Sequence, residues 1–124
     1  MTKHAKILLV EDEEALANVL KLELKNAGFE VTHCDNGKDA VAKAKNNKFD
    51  LILLDVVMPT MDGFETLKQM KADNINVKTL MLSNLSQEEE IEKAKRLGAI
   101  GFIVKSNTTL AEIIDQIKKL LDNK

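Results

Sequence analysis

Leu51-Ile52-Leu53-Leu54 is an unbroken apolar run that stops at Asp55. A strand that is apolar at every position has no face for water. It needs cover on both sides, as in a parallel sheet with helices above and below it.

The rest of the chain supplies such helices in alternation with further strands. Lys6–Val10 is a short apolar run followed by an acidic break, and Leu16, Val19, Leu20 and Ala27 then recur at helical spacing. Gly28 is placed to close that helix as its C′ residue. Phe29, Val31 and His33 alternate with Glu30, Thr32 and Cys34, which predicts a less buried strand. Asn36-Gly37 signals a turn, and Ala40, Val41 and Ala44 mark a second helix. After Pro59 and Gly63, Phe64, Leu67 and Met70 mark a third. Val77–Leu82 is a fourth strand; Ser86 with Glu89 forms a capping box ahead of a helix whose apolar face is Ile91, Ala94 and Leu97. Gly101–Val104 is a fifth strand. Thr109 with Glu112 forms another box, before the stripe Leu110, Ile113, Ile114, Ile117, Leu120 and Leu121. Five βα units predict an α/β fold, a doubly wound five-stranded parallel sheet, in a single domain over residues 1–124.

Composition narrows the functions open to such a fold. The 124 residues are 44% hydrophobic and 31% charged, enough for one core and a solvated surface. A net charge of −2 leaves no basic field to hold nucleic acid, so no direct nucleic-acid partner is expected. The apolar runs are too short to cross a membrane, and Glu11–Glu14 interrupt the N-terminal one too early for a signal peptide. Cys34 has no second cysteine to pair with, which suits a reducing cytoplasm. His4 and His33 are too few and scattered for a histidine metal site.

In open parallel sheets ligands bind outside the carboxyl ends of the strands, where strand order reverses. The residues at those ends are Glu11 and Asp12, Asp55, Ser83 and Lys105. Taken singly, each has an ordinary explanation, such as a helix start, a loop cap or a surface lysine. Together they put three acids, a hydroxyl and one lysine in a single crevice. Two unit charges ~5 Å apart repel by roughly 3 kcal/mol at an effective dielectric near 20. Lys105 offsets one charge, and a hard divalent cation offsets the rest. All-oxygen donors favour Mg²⁺ over zinc. A carboxylate beside that ion can act as nucleophile toward phosphorus, giving an aspartyl phosphate.

Over its whole length the sequence resembles the response-regulator receiver family. The resemblance is carried by Ile7-Leu8-Leu9-Val10-Glu11-Asp12-Glu13, by Leu54-Asp55-Val56-Val57-Met58-Pro59-Thr60-Met61-Asp62-Gly63, by Leu82-Ser83, and by Gly98-Ala99 with Phe102-Ile103-Val104-Lys105. It implies a flavodoxin-like strand order 2-1-3-4-5. It implies a phosphorylation switch charged by a sensor histidine kinase or a phosphotransfer protein, and read by a downstream protein. Such a domain is a monomer or a weak phosphorylation-dependent dimer. It is a phosphoacceptor that assists its own phosphorylation and slow dephosphorylation, and not an enzyme. Asp55 is then the acceptor. Asp12 binds Mg²⁺ directly, Glu11 acts mostly through metal-bound water, and the Val57 carbonyl is a further ligand. Ser83 follows the phosphoryl group and Phe102 is the aromatic switch. The surface of the fourth helix, fifth strand and fifth helix is the output face, where Ile100 adds apolar area. Val57 and Leu85, which border the approach of the hydrolytic water, are apolar and imply a long-lived phosphoryl group.

Two positions depart from the family. Ser106 stands where a proline, joined by a cis bond, usually follows the lysine. A cis bond without proline costs roughly 3–4 kcal/mol, so the Lys105–Ser106 geometry stays open. Asn84 stands where a small residue usually follows the hydroxyl. A degenerate receiver acting as a constitutive interaction module is the main alternative, and the intact set of Glu11, Asp12, Asp55, Ser83 and Lys105 speaks against it. A flavin carrier of similar architecture would need a hydroxyl-rich phosphate loop where Glu11–Glu14 stand, and the chain has no Trp or Tyr to stack a flavin. An aspartyl-phosphate phosphatase would carry its nucleophile after the first strand and a second acid two positions on, whereas Val57 stands two positions after Asp55. The chain stops just after the fifth helix without an output domain, as expected of a stand-alone receiver or of one excised from a longer regulator.

Overall fold

The structure is a computed structural model that describes residues 4–84 and 88–122. In chain order it runs β1 (Lys6–Val10), α1 (Glu14–Asn26), β2 (Glu30–Cys34), α2 (Gly37–Asn46), β3 (Leu51–Asp55), α3 (Gly63–Ala72), β4 (Lys78–Ser83), α4 (Glu88–Arg96), β5 (Gly101–Val104) and α5 (Leu110–Asp122). The five strands are all parallel, in the order β2-β1-β3-β4-β5. The predicted sheet and its order are present.

The apolar run of β3 is explained by two cores. Leu51 and Leu53 pack with Ile7, Leu9, Leu80, Leu82 and Ile103 against Ala17, Leu20 and Leu24 of α1 and Ile113 and Ile117 of α5. Ile52 and Leu54 pack with Leu8, Val10 and Met81 against Ala40, Val41 and Ala44 of α2, Phe64, Leu67 and Met70 of α3, and Ala94 of α4. Alternate side chains of one strand therefore enter opposite layers, and neither can be polar. Burying each such side chain stabilises the fold by about 1.5–3 kcal/mol.

Several local expectations are met and several are shifted. α1 ends as predicted, with Gly28 at φ 96° after the C-cap Ala27. Thr109 and Glu112 exchange the two bonds of a capping box at 3.2 and 3.3 Å. The Ser86 half of the other predicted box lies outside the described residues. Asn36-Gly37 is a helix start and not a free turn: the Asn36 side chain accepts from the Asp39 amide at 2.8 Å, and Gly37 opens α2. Cys34 does not follow the exposed Glu30 and Thr32 of its strand, because β2 ends beneath α2 and the thiol packs into that core. Burial pushes the Cys34 thiol up to about 11, so it is un-ionised at neutral pH. One device escaped the sequence reading: Asp62 and Glu65 form a full capping box that starts α3.

Candidate functional site

Strand order reverses between β1 and β3, since the chain leaves β1 for β2 on one side and returns to β3 on the other. The crevice this creates lies beyond Val10 and Leu54, which are register partners. Glu11 and Asp12 leave one side of it and Asp55 ends the other.

Glu11 is nearly sealed, 1% exposed, and every polar group it carries is engaged. Its amide donates to the Cys34 carbonyl at 3.1 Å. Its carbonyl accepts from His33 Nε2 at 2.8 Å. Its carboxylate accepts from the Glu13 amide at 3.0 Å and from Lys105 Nζ at 2.9 Å. Asp55 is 4% exposed, and its Oδ1 lies 3.4 Å from the same Nζ. Asp12 is exposed. One carboxylate oxygen from each of Glu11, Asp12 and Asp55 lies within 4.8 Å of the others.

Three acids and one lysine leave this crevice underneutralised, and the protonation of Asp55 reflects it. Burial, then the charge of Glu11, push the Asp55 carboxyl up to about 7 against the pull of Lys105. For Lys105 burial acts downward, but its bonds to Glu11 and Asp55 outweigh it and hold the ammonium above its usual range. A divalent cation among the three acids would favour the ionised, nucleophilic Asp55. The donor set fits Mg²⁺: all hard oxygens, with a spread comparable to the roughly 4.2 Å between opposite corners of an octahedron of 2.1 Å bonds.

α3 approaches β3 closely because its first residue is glycine. The Gly63 amide donates to the Val56 carbonyl at 2.8 Å, and a Cβ on Gly63 would stand 2.8 Å from Val56 Cα and crowd the Asp55 carbonyl. The loop between them carries Val57, 60% exposed, and Thr60 at φ 72°. Lys105 is delivered by a 3-10 turn, Lys105–Asn107, tied by Thr108 Oγ1 donating to the Val104 carbonyl at 2.9 Å. No peptide bond among the described residues is cis, Lys105–Ser106 included. The departure at Ser106 therefore resolves as a trans turn that still brings Nζ to both acids.

Ser83 ends β4 fully buried, one residue past Leu82, the register partner of Asp55. It pairs with Val104 as Met81 pairs with Phe102. Strand alternation puts Ser83, Met81 and Phe102 on the same sheet face, the one covered by α4. Phe102 is half-buried there, and Ile100 is exposed at the foot of β5. Asn84 is exposed, and Leu85 lies outside the described residues. His33 bonds to the Glu11 carbonyl, a contact that only its place near the end of the strand beside β1 hints at in the sequence.

Comparison with known proteins agrees with this geometry. The sequence pattern of the response regulator receiver domain matches residues 7–118. The chain is 37% identical over 102 residues to the alkaline phosphatase synthesis transcriptional regulatory protein PhoP of Bacillus subtilis, covering 81% of this chain and 42% of PhoP. It is 36% identical over 100 residues to the chemotaxis protein CheY of Halobacterium salinarum, covering 80% and 82%. It thus spans less than half the length of the first and most of the second. Among solved structures, a CheY-like receiver domain from Methanospirillum hungatei superposes with a TM-score of 0.89 at 28% identity, over 97% of this chain and 95% of that one. Chemotaxis protein CheY4 of Vibrio cholerae gives 0.87 at 31% identity, over 94% and 98%. A sheet in the order 2-1-3-4-5, an acid cluster at its switch point and a family pattern running from β1 into α5 have one common account: the chain belongs to the response regulator receiver domain family of two-component signalling.

Proposed function

We propose that this domain is a phosphorylation-dependent switch that accepts a phosphoryl group onto Asp55 from the phosphohistidine of a sensor histidine kinase or phosphotransfer protein. The observation that supports this most is the state of Asp55 itself. It is sealed, lifted to about 7 by burial and Glu11, and held 3.4 Å from a lysine with two more acids in reach. In the transfer an Asp55 oxygen attacks phosphorus and an O–P bond forms as the P–N bond breaks. The donor ring, protonated on its other nitrogen, leaves as neutral imidazole. A Mg²⁺ ion held there would supply positive charge to offset the acids and the incoming phosphoryl group. Asp12, Asp55 and the Val57 carbonyl would hold it, with Glu11 acting mainly through metal-bound water. Lys105 stabilises the transferred group, Ser83 follows it, and Phe102 relays the change to the surface of α4, β5 and α5. Exposed Val19 and Leu22 on α1, with Val57 at the rim, offer a phosphodonor protein an apolar seat. The domain assists its own phosphorylation and slow dephosphorylation. Among the described residues no helix is long and apolar enough to cross a membrane, and a cytoplasmic setting suits this role.

The test is labelling with Mg²⁺ and acetyl phosphate, read by intact-mass spectrometry. Wild type should gain one phosphoryl group and Asp55→Asn none. Equal labelling of both removes Asp55 from the role. A wild type that neither labels nor responds to Mg²⁺ supports a constitutive interaction module instead.

A further inference from the structure

The acids of the crevice are carried by the backbone that leaves β1, and that backbone is pinned at two points by the end of β2. The Glu11 amide continues the sheet ladder by donating to the Cys34 carbonyl at 3.1 Å. Among the described residues the Glu11 carbonyl has no such backbone partner, because the chain after Cys34 turns away toward α2. A side chain takes the place of the missing strand: His33 Nε2 lies 2.8 Å from that carbonyl. A carbonyl only accepts, so the ring must donate, which assigns the proton to Nε2.

The Glu11 carbonyl belongs to the same planar unit as the Asp12 amide. Fixing its direction fixes the plane from which the Asp12 side chain departs. Asp12 is exposed, unlike sealed Glu11 and Asp55, and among the described residues no hydrogen bond or ion pair to its carboxylate is present. Its placement within 4.8 Å of the other two acids therefore depends on its backbone.

We propose that His33 is a positioning residue for the metal-binding acids: its Nε2–H holds the Glu11–Asp12 peptide unit in the orientation that presents Asp12 beside Asp55. This inference rests on the reading of Glu11, Asp12 and Asp55 as a Mg²⁺ site. It assigns His33 no contact with metal or phosphoryl group. It works in any protonation state that keeps Nε2 protonated.

The experiment compares wild type with His33→Leu, which has no donor, and His33→Gln, whose amide donates at similar reach. Mg²⁺ affinity is read from amide shifts of Glu13 and Asp12 during titration, without phosphorylation. His33→Leu should weaken Mg²⁺ about tenfold, the low end of what supporting hydrogen bonds around metal ligands contribute, and His33→Gln should restore most of it. With acetyl phosphate, the half-saturating Mg²⁺ concentration should rise in His33→Leu while the rate at saturating Mg²⁺ stays near wild type. In wild type the imidazole nitrogen spectrum should show a protonated Nε2. An unchanged Mg²⁺ affinity in His33→Leu, a glutamine variant as weak as the leucine one, or a neutral Nδ1–H tautomer each overturns the inference alone. A wild type that binds no Mg²⁺ at millimolar concentration overturns the functional reading, and this inference with it.

Discussion

Lys105 and Glu11 form the tighter of the two ion pairs in the crevice. Nζ lies 2.9 Å from Glu11 Oε1 and 3.4 Å from Asp55 Oδ1. The lysine thus serves two buried acids, and neither is fully neutralised by it.

Removing that lysine should cost Asp55 its only nearby fixed cation among the described residues. Lys105→Met should slow labelling by acetyl phosphate about a hundredfold at saturating Mg²⁺, the scale of losing one electrostatic stabiliser of a transition state. Initial rates from intact-mass time courses decide it. A loss under threefold would mean that the lysine only balances Glu11.

The raised Asp55 pKa has a consequence for stability without metal. The folded protein keeps a proton up to about 7 that the unfolded chain releases near 3.8. Between those values the folded state binds more protons, so stability falls as pH rises. The contribution is fully present below 3.8 and lost as pH passes through about 7. In the presence of chelator, Asp55→Asn should therefore match wild type near pH 4 and grow more stable than it toward pH 8. Excess Mg²⁺ should shrink that gap at pH 8. Urea melts giving a gap independent of pH would contradict this account.

Thr60 occupies a left-handed backbone conformation at φ 72°, where a β-branched side chain is strained, and its neighbours close a tight turn with the Met61 amide donating to the Pro59 carbonyl at 2.9 Å. Thr60→Gly should relieve that strain and stabilise the domain by about 0.5–1 kcal/mol after glycine's unfolded-state entropy is counted. Thr60→Val should give no gain. Thermal melts of the two variants are the check, and equal shifts would show that the backbone is not the cause.

α4 is held lightly. Ala94 is its only fully buried residue among those described, and Lys93 Nζ rests 4.6 Å above the Phe64 ring of α3. Elements with few buried contacts open first and are the natural readers of a local charge event. Beryllofluoride with Mg²⁺ should therefore shift amide signals most strongly from Ser83 to Lys105. Changes confined to Glu11, Asp12 and Asp55 would show that the site is uncoupled from α4.

How much of this was legible in the sequence follows from how local each signal is. β3 announced itself because burial on both faces demands apolar residues at every position. β5 was placed at Gly101–Val104 and observed there. β4, expected over Val77–Leu82, runs Lys78–Ser83, with the Lys78 ammonium donating to the Leu120 carbonyl of α5 at 2.7 Å. The meeting of Glu11, Asp12, Asp55 and Lys105 was legible because strand ends converge in any parallel sheet. What the sequence did not carry was who bonds to whom. The hold of Lys105 on Glu11 spans 94 positions, and that of His33 on Glu11 spans 22. Such pairings exist only once the register of β1 against β2 and the turn after β5 are set.

The narrow gap beneath Gly63 bears on how tolerance to substitution would be interpreted across this domain. A larger side chain there would meet the backbone of Asp55 and Val56, not a substrate. Gly63 would then score as intolerant as Asp55 in a survey of all substitutions, and the two profiles would look alike. They separate by chemistry: replacing Asp55 with its isostere Asn keeps the shape and removes the carboxylate, whereas every replacement of Gly63 displaces α3. Essentiality at this end of the sheet therefore mixes two causes, reactivity and room.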